Sequence, residues 1–290
     1  MEILKNDVLT VEVSSAGAEL QSIRKNGVEY LWQGDPAYWG RRSPVLFPIV
    51  GSVWEKRYRV DGREYELGQH GFARDMVFDL VSSSETEVRY RLLSSEETKA
   101  KYPFDFCLEI AYRLHDSSLD VIWEVTNPAE TDLYFQIGAH PAFNYPDYDP
   151  QKSGRGHLTF DRSEGLECIR IKEKGCVDAL TKWPLEMKDG KVKLEKDTFD
   201  TIDTIMLQDS QIHETSMFRE DGTPWLSVRF DAPVVGIWSP PGKVAPFICL
   251  EPWYGRCDAA GYEGEYRDKE WMNRLAPGEG FSSVYTIEIA

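Results

Sequence analysis

The sequence predicts an all-β fold, and three observations predict it. Apolar residues recur at every second position over long stretches. Paired runs are joined by Asn-Gly and Asp-Gly dipeptides. Helical spacing is nearly absent. At 290 residues and 41% hydrophobic content the chain has material for a sizeable core. Large all-β folds often use such a length for one domain. The expectation is a single, mainly antiparallel domain over residues 1–290, a sandwich or a barrel, with short helices at most.

The elements follow in order. MEILKNDVLTVEV reads as an opening strand. Asn26-Gly27 joins LQSIRK to VEYLW, and Asp61-Gly62 joins RYRV to REYEL. Both dipeptides tolerate the positive φ angles that two-residue hairpin turns require. EETKAK (96–101) suits a short helix. Phe106, Leu108, Ile110, Tyr112 and Leu114 then alternate with Cys107, Glu109, Ala111 and Arg113, the period of a half-buried strand. Past Asp116-Ser117, Leu119, Val121, Trp123 and Val125 share one face. The apolar run LYFQI leads into GAHPAF, and PDYDPQKSGRG (146–156) is a loop too short for a domain linker. Asp221-Gly222 marks a third hairpin between MFRE and TPWLSV. ICLEPW is another apolar strand, and DKEWMNRLAPGE (268–279) suits a second short helix ended by Pro277-Gly278.

Composition excludes several functions. A net charge of −16 argues against nucleic acid and anionic membranes as partners. No run of about eighteen apolar residues is present, so no membrane-spanning helix is expected. The N-terminus lacks a secretory pattern, and a cytoplasmic location is the expectation. Five cysteines with no C-x-x-C pair read as free thiols in a reducing compartment. Between Arg41 and Arg74 the chain carries seven basic residues against four acidic, a locally positive segment suited to an anionic group or to a solvated face.

Two residues invite a chemical reading. Proline has no N–H and biases its predecessor toward extended backbone. His140 before Pro141 and Glu251 before Pro252 each close an apolar strand, so each side chain is supported by a sheet where pairing fails. His70, beside the flexible Gly71, is a third candidate. His115, His157 and His213 lie in polar or turn contexts and are expected on the surface. Two histidines and a carboxylate are also a metal-ligand set, but no H-x-H or H-E-x-x-H spacing accompanies them, and no metal is expected. Aromatic residues (Phe72, Phe143, Trp238, Trp253, Tyr254) crowd these positions and suit the C–H face of a sugar.

In combination RRSPVLFPIVG (41–51), QHGFARD (69–75), GAHPAF (138–143), DTIML (203–207) and CLEPWYGRCD (249–258) resemble the aldose 1-epimerase, or galactose mutarotase-like, superfamily, in its LacX-type branch. The resemblance covers essentially the whole chain. It implies a large antiparallel β-sandwich, the mutarotase-like supersandwich, and interconversion of α and β anomers of a hexose. It implies Glu251 as base, His140 as acid and His70 as a second histidine near the ring oxygen. Arg42 and Asp203 resemble sugar contacts, with Asp200 as the competing aspartate. Phe72, Phe143 and Trp253 are the expected aromatic neighbours. A related branch acts on hexose 6-phosphates through arginines that Arg42 and Arg74 match, with Lys56 able to assist. No cofactor is implied, the partner is a monosaccharide, and no pattern speaks to oligomeric state. Two other readings stand beside this one: a sugar-binding protein without catalysis, and a glycosidase using Asp203 and Glu251. Trp253 and its neighbours are expected to desolvate Glu251 and raise its pKa.

Overall fold

The computed structural model describes residues 1–290. Its fold is an antiparallel β-sandwich built on a nine-stranded and an eight-stranded sheet, with a four-stranded sheet formed by residues 2–29. The middle strand of the nine-stranded sheet is the C-terminal strand Gly280–Ile289, and beside it lies the hairpin Cys107–His115 and Ser118–Thr126. The alternation read from the sequence becomes register here: Ile110 faces Trp123, and Leu108 faces Val125. A cluster of 61 buried residues draws on both large sheets. Trp123, on the inner face of one sheet, meets Tyr254 of the other edge-on at 6.5 Å and Tyr285 at 5.2 Å.

The eight-stranded sheet positions the site. Its strand Phe247–Tyr254 is buried at every residue but the last, which explains an apolar run without alternation. Ile248 and Leu250 turn into the main core. Cys249, Glu251 and Trp253, at the alternate positions, turn to the opposite face.

Local signals held where turn chemistry was strong. Asn26, Gly27, Asp61 and Gly62 all have φ between 49° and 80°, as the two hairpins require. Ser95 and Thr98 form a reciprocal capping box around the short helix Glu96–Lys99. The Asp221-Gly222 hairpin differs, because its strands stop at Phe218 and resume at Pro224. There the Asp221 carboxylate accepts from the Thr223 N–H at 2.8 Å and builds a wider loop. Residues 268–279 are not a helix. Tyr266–Asp268 forms one 3-10 turn and Asn273–Leu275 pairs with Leu133–Phe135. The Asn273 amide donates to the carbonyls of Phe135 (3.0 Å) and Tyr254 (2.9 Å), tertiary bonds that a helix would forgo. His157 is likewise not in a loop: it lies in the strand Gly154–Phe160 and stacks on Phe218 at 5.0 Å.

All five cysteines are free. No helix is long and apolar enough to cross a membrane.

Truncating the residue that couples the two sheets should be costly. Trp123→Ala is expected to lose about 3–5 kcal/mol in urea unfolding, the usual range for a large buried aromatic.

Candidate active site

Sheet register brings His140 and Glu251 together. Strand Ile137–Ala139 and strand Ala142–Asn144 both pair with Phe247–Tyr254, Gly138 lying opposite Trp253 and Ala142 opposite Cys249. The same register runs through both segments, so His140, in the gap between them, stands opposite Glu251. Directly opposed residues of antiparallel strands project to the same face. His140 Nε2 lies 3.3 Å from Glu251 Oε2, with side-chain exposures of 9% and 1%. The break occurs only on the His140-Pro141 side. Contrary to the sequence expectation, the Glu251 strand continues through Pro252 to Tyr254. Pro252 offers no N–H to the strand opposite, and the Ala139 carbonyl accepts from the Trp253 indole N–H instead, at 3.2 Å.

The Trp253 indole needs room beside this pair, and glycine provides it twice. A Cβ on Gly138 would sit 2.6 Å from the indole, and one on Gly236, opposite Glu251 in strand Val234–Trp238, would sit 2.5 Å from it.

His70 arrives from a turn. Its φ of 65° and the 68° of Gly71 fold the chain back on itself, where a Cβ on residue 71 would lie 2.2 Å from the Phe47 carbonyl oxygen. Only glycine fits there. His70 Nδ1 accepts from the Gly51 N–H at 3.0 Å, and the His70 N–H donates to the Gly51 carbonyl at 2.8 Å. An acceptor at Nδ1 puts the ring proton on Nε2. His70 is thereby a neutral hydrogen-bond donor. Its ring stands edge-on to that of His140, centroids 5.5 Å apart.

These groups line one cavity of about 490 Å³, within the range of small-molecule sites. Glu251, His140, His70, Arg74, Asp203 and Trp253 all reach it, as do Trp39, Arg41, Gln69 and Trp238. Cavities of about 550 and 810 Å³ lie elsewhere and contain none of the acid–base candidates. Asp203, with φ 63°, opens strand Thr204–Leu207 and accepts from the Thr204 hydroxyl at 2.8 Å. Asp200 lies outside the cavity, where it accepts from the Gly242 N–H at 2.7 Å.

Four expected contacts fall elsewhere. Arg42 is anchored away from the cavity: its guanidinium donates to the Gln21 carbonyl at 2.8 Å and its N–H to Glu19 at 3.1 Å. Arg41, one residue earlier, faces the cavity and pairs with Asp75 at 2.8 Å. Phe72 packs in the core against Phe106 and Tyr102, and Phe143 is fully buried in the same cluster. Lys56 is absent from the cavity wall. Sequence reading missed Trp39 and Gln69. The signal for Gln69 was its place beside His70, while Trp39 carried none beyond its residue type.

The family model for aldose 1-epimerases matches residues 2–287. The chain belongs to the aldose 1-epimerase family. It is 32% identical over 296 aligned residues to the chromosomal LacX protein of Lactococcus lactis subsp. lactis, with 99% of this chain and 98% of that protein covered. A galactose mutarotase related enzyme from Lactobacillus acidophilus superposes with a TM-score of 0.92 at 31% identity, covering 99% of this chain and 96% of that one. A galactose mutarotase-like protein from Lactobacillus casei gives 0.93 at 29% identity, with both chains covered in full.

Within this member of the family the electrostatics of the cavity follow from burial. Desolvation pushes Glu251 well above the usual carboxylate range, while the Trp253 indole N–H opposes that rise. The rise by desolvation is the one expected from the sequence, and the Trp253 hydrogen bond moderates it. Desolvation pushes His140 and His70 below the usual imidazole range, and the charges of Arg74 and Arg41 add to it. Arg74 is itself lowered to about 10, first by burial and then by Arg41. Its Nη2 donates to the Gln69 carbonyl at 2.7 Å, and its buried Nε makes no hydrogen bond, lying 3.9 Å from the Asp75 carboxylate. His140 Nδ1 and Glu251 Oε2 also lack a hydrogen bond within the protein. Such groups suit a ligand rich in hydroxyls. A metal reading has one grouping to stand on: donor atoms of His140, Cys249 and Glu251 lie within 4.8 Å of one another. His70, the third ligand of the set weighed from sequence, is not part of it.

A buried acid and imidazole this close titrate as one unit. Burial raises one and lowers the other, so the native pair holds one proton over a wide range. The unfolded chain holds none on these groups above about pH 6.5 and two below about 4.5. Above 6.5 the native state binds the extra proton, and stability falls as pH rises; below 4.5 the unfolded state does, and stability falls as pH drops. In Glu251→Gln the fall above 6.5 should vanish. Urea unfolding at stepped pH should show it in the unmodified protein with a slope of up to about 1.4 kcal/mol per pH unit.

Proposed function

We propose that the protein is an aldose 1-epimerase that interconverts the α and β anomers of a hexose by ring opening and reclosure. The observation that carries this reading is the opposition of His140 and Glu251 in one cavity, 3.3 Å apart. Mutarotation needs a base at the anomeric hydroxyl and an acid at the ring oxygen, acting together. Glu251 takes the hydroxyl proton and His140 gives one to the ring oxygen as the C1–O5 bond breaks. C1 becomes the aldehyde carbon, rotates about C1–C2, and is attacked by the released hydroxyl from the other face. Reclosure returns both protons. The reactive form of the pair is imidazolium and carboxylate, which becomes imidazole and carboxylic acid with no change in its total charge. A low-dielectric cavity penalises net charge, so a route that keeps the pair's charge constant suits burial.

The remaining groups serve binding. His70, with its proton fixed on Nε2, donates to a substrate oxygen and takes no part in proton transfer. Asp203 accepts from sugar hydroxyls, and the indoles of Trp39, Trp238 and Trp253 offer apolar walls. No cofactor enters the scheme.

Polarimetry on a freshly dissolved pure anomer tests the reading. Glu251→Gln and His140→Asn should each reduce the rate by about 100- to 10,000-fold, the usual contribution of acid–base groups. His70→Asn should cost less, about tenfold, as expected for one hydrogen bond. Sugar binding with no acceleration by the unmodified protein would favour a binding role instead.

A phosphorylated hexose is a second reading, favoured by two guanidinium groups on one cavity wall. Arg74 Nε makes no hydrogen bond, and the two guanidinium groups share one exposed carboxylate, Asp75, at 3.9 and 2.8 Å. Guanidinium suits phosphate through paired hydrogen bonds. On this reading Arg74→Met should raise KM for a hexose 6-phosphate about 10- to 100-fold and leave KM for the free hexose within about threefold.

A further inference from the structure

His140 stands in a box of rings, and only one of them lies flat against it. Trp39 stacks on the imidazole with centroids 4.6 Å apart and planes at 26°. Trp238 and His70 stand nearly perpendicular to it, each at 5.5 Å with planes at 79° and 87°. The geometry matters because an aromatic ring is negative on its face and positive at its edge. A cation over an indole face is attracted, more strongly where water is excluded; the same cation at an edge gains nothing. Trp39 is held in place for this. Its backbone carbonyl accepts from the Trp32 indole N–H at 2.8 Å, and its ring packs on Phe247 at 5.9 Å. The Lys243 ammonium donates to the carbonyls of Ala37 and Tyr38 at 3.3 and 2.8 Å and pins the same loop.

We propose that Trp39 is a positioning residue that holds the shared proton of the buried pair on His140, keeping Glu251 an ionised base. The inference rests on the acid–base reading of that pair. The shared proton has two seats. On His140 it makes an imidazolium and leaves a carboxylate; on Glu251 it makes a neutral acid that cannot accept the anomeric proton. Burial, and after it Arg74 and Arg41, disfavour a cation on His140, and His70 is neutral. Cys249, whose sulfur lies within 4.8 Å of the pair's ligand atoms, is a protonated thiol, its pKa pushed up by burial, and Asp203 lines the same cavity. Glu251 is the one anion beside the imidazole, and its charge vanishes if the proton moves to it. The Trp39 face attracts His140 more strongly when the imidazole is charged, so it favours the productive arrangement.

The test replaces Trp39 by indoles fluorinated at one, two and three ring positions, which weaken the face without altering shape, and by Phe and Leu. Two readouts are taken. The first is the charge state of His140 by ¹⁵N NMR at pH 7, which needs no catalysis. The second is the pH profile of kcat for mutarotation. The expected result is a graded fall in imidazolium population with fluorination. A fall in kcat should accompany it, reaching on the order of tenfold for Trp39→Leu and less for Trp39→Phe. Both limbs of the pH profile should move to lower pH, because every state bearing imidazolium is weakened. A KM that rises while the ¹⁵N signal and both limbs stay fixed would overturn the proposal and leave Trp39 as a sugar contact. An unmodified protein without mutarotase activity would sink the functional reading, whereas the NMR series would still decide where the proton sits.

Discussion

One strand register governs the site. Strand Phe247–Tyr254 carries Glu251, and the chain opposite is interrupted at His140-Pro141 without losing step. Proline's missing N–H opens the ladder on one side only, and the neighbouring strand Val234–Trp238 keeps pairing through Pro252. The result is a carboxylate and an imidazole on adjacent backbones, supported by a sheet and still reachable from a cavity. Neither side chain depends on a loop for its position, which suits groups that must hold geometry to a fraction of an ångström.

Burial then sets the chemistry. A carboxyl pushed up and an imidazole pushed down pass each other, so burial by itself seats the pair's proton on Glu251. Had Glu251 been solvated, it would lose its proton near its ordinary value and be a weak base. The deep seat at the centre of a fully buried strand supplies the basicity, and the Trp253 N–H moderates it. Arg41, Arg74 and Asp203 place charges of both signs on the wall of the same cavity.

Much of this was legible before any coordinates. Hairpin turns with Asn-Gly and Asp-Gly carry their own backbone instruction, and alternation over residues 106–125 fixed a strand pair. His140 and Glu251 were readable because proline marks a backbone event whatever the surroundings. Other features were set by contacts distant in the chain. Whether Arg41 or Arg42 faces inward depends on Glu19 and Gln21, which capture Arg42. Phe72 and Phe143 sit beside the motif residues, yet their side chains leave on the opposite face, into the core. The segment 268–279 has helix-forming composition, but strand pairing with Leu133–Phe135 and the Asn273 bonds override it. Trp39 belongs to the site through stacking with rings contributed from far along the chain, and no local spacing announces that.

The two glycines that flank Trp253 carry a consequence for the lineage of such chains. Position 253 cannot hold its indole unless both 138 and 236 forgo a side chain, and these three residues belong to three different strands. Drift at any one of them must be answered at the others. Relatives that lose the tryptophan are free to fill both neighbouring vacancies, and those that retain it inherit the bare backbone on either side as a matched set.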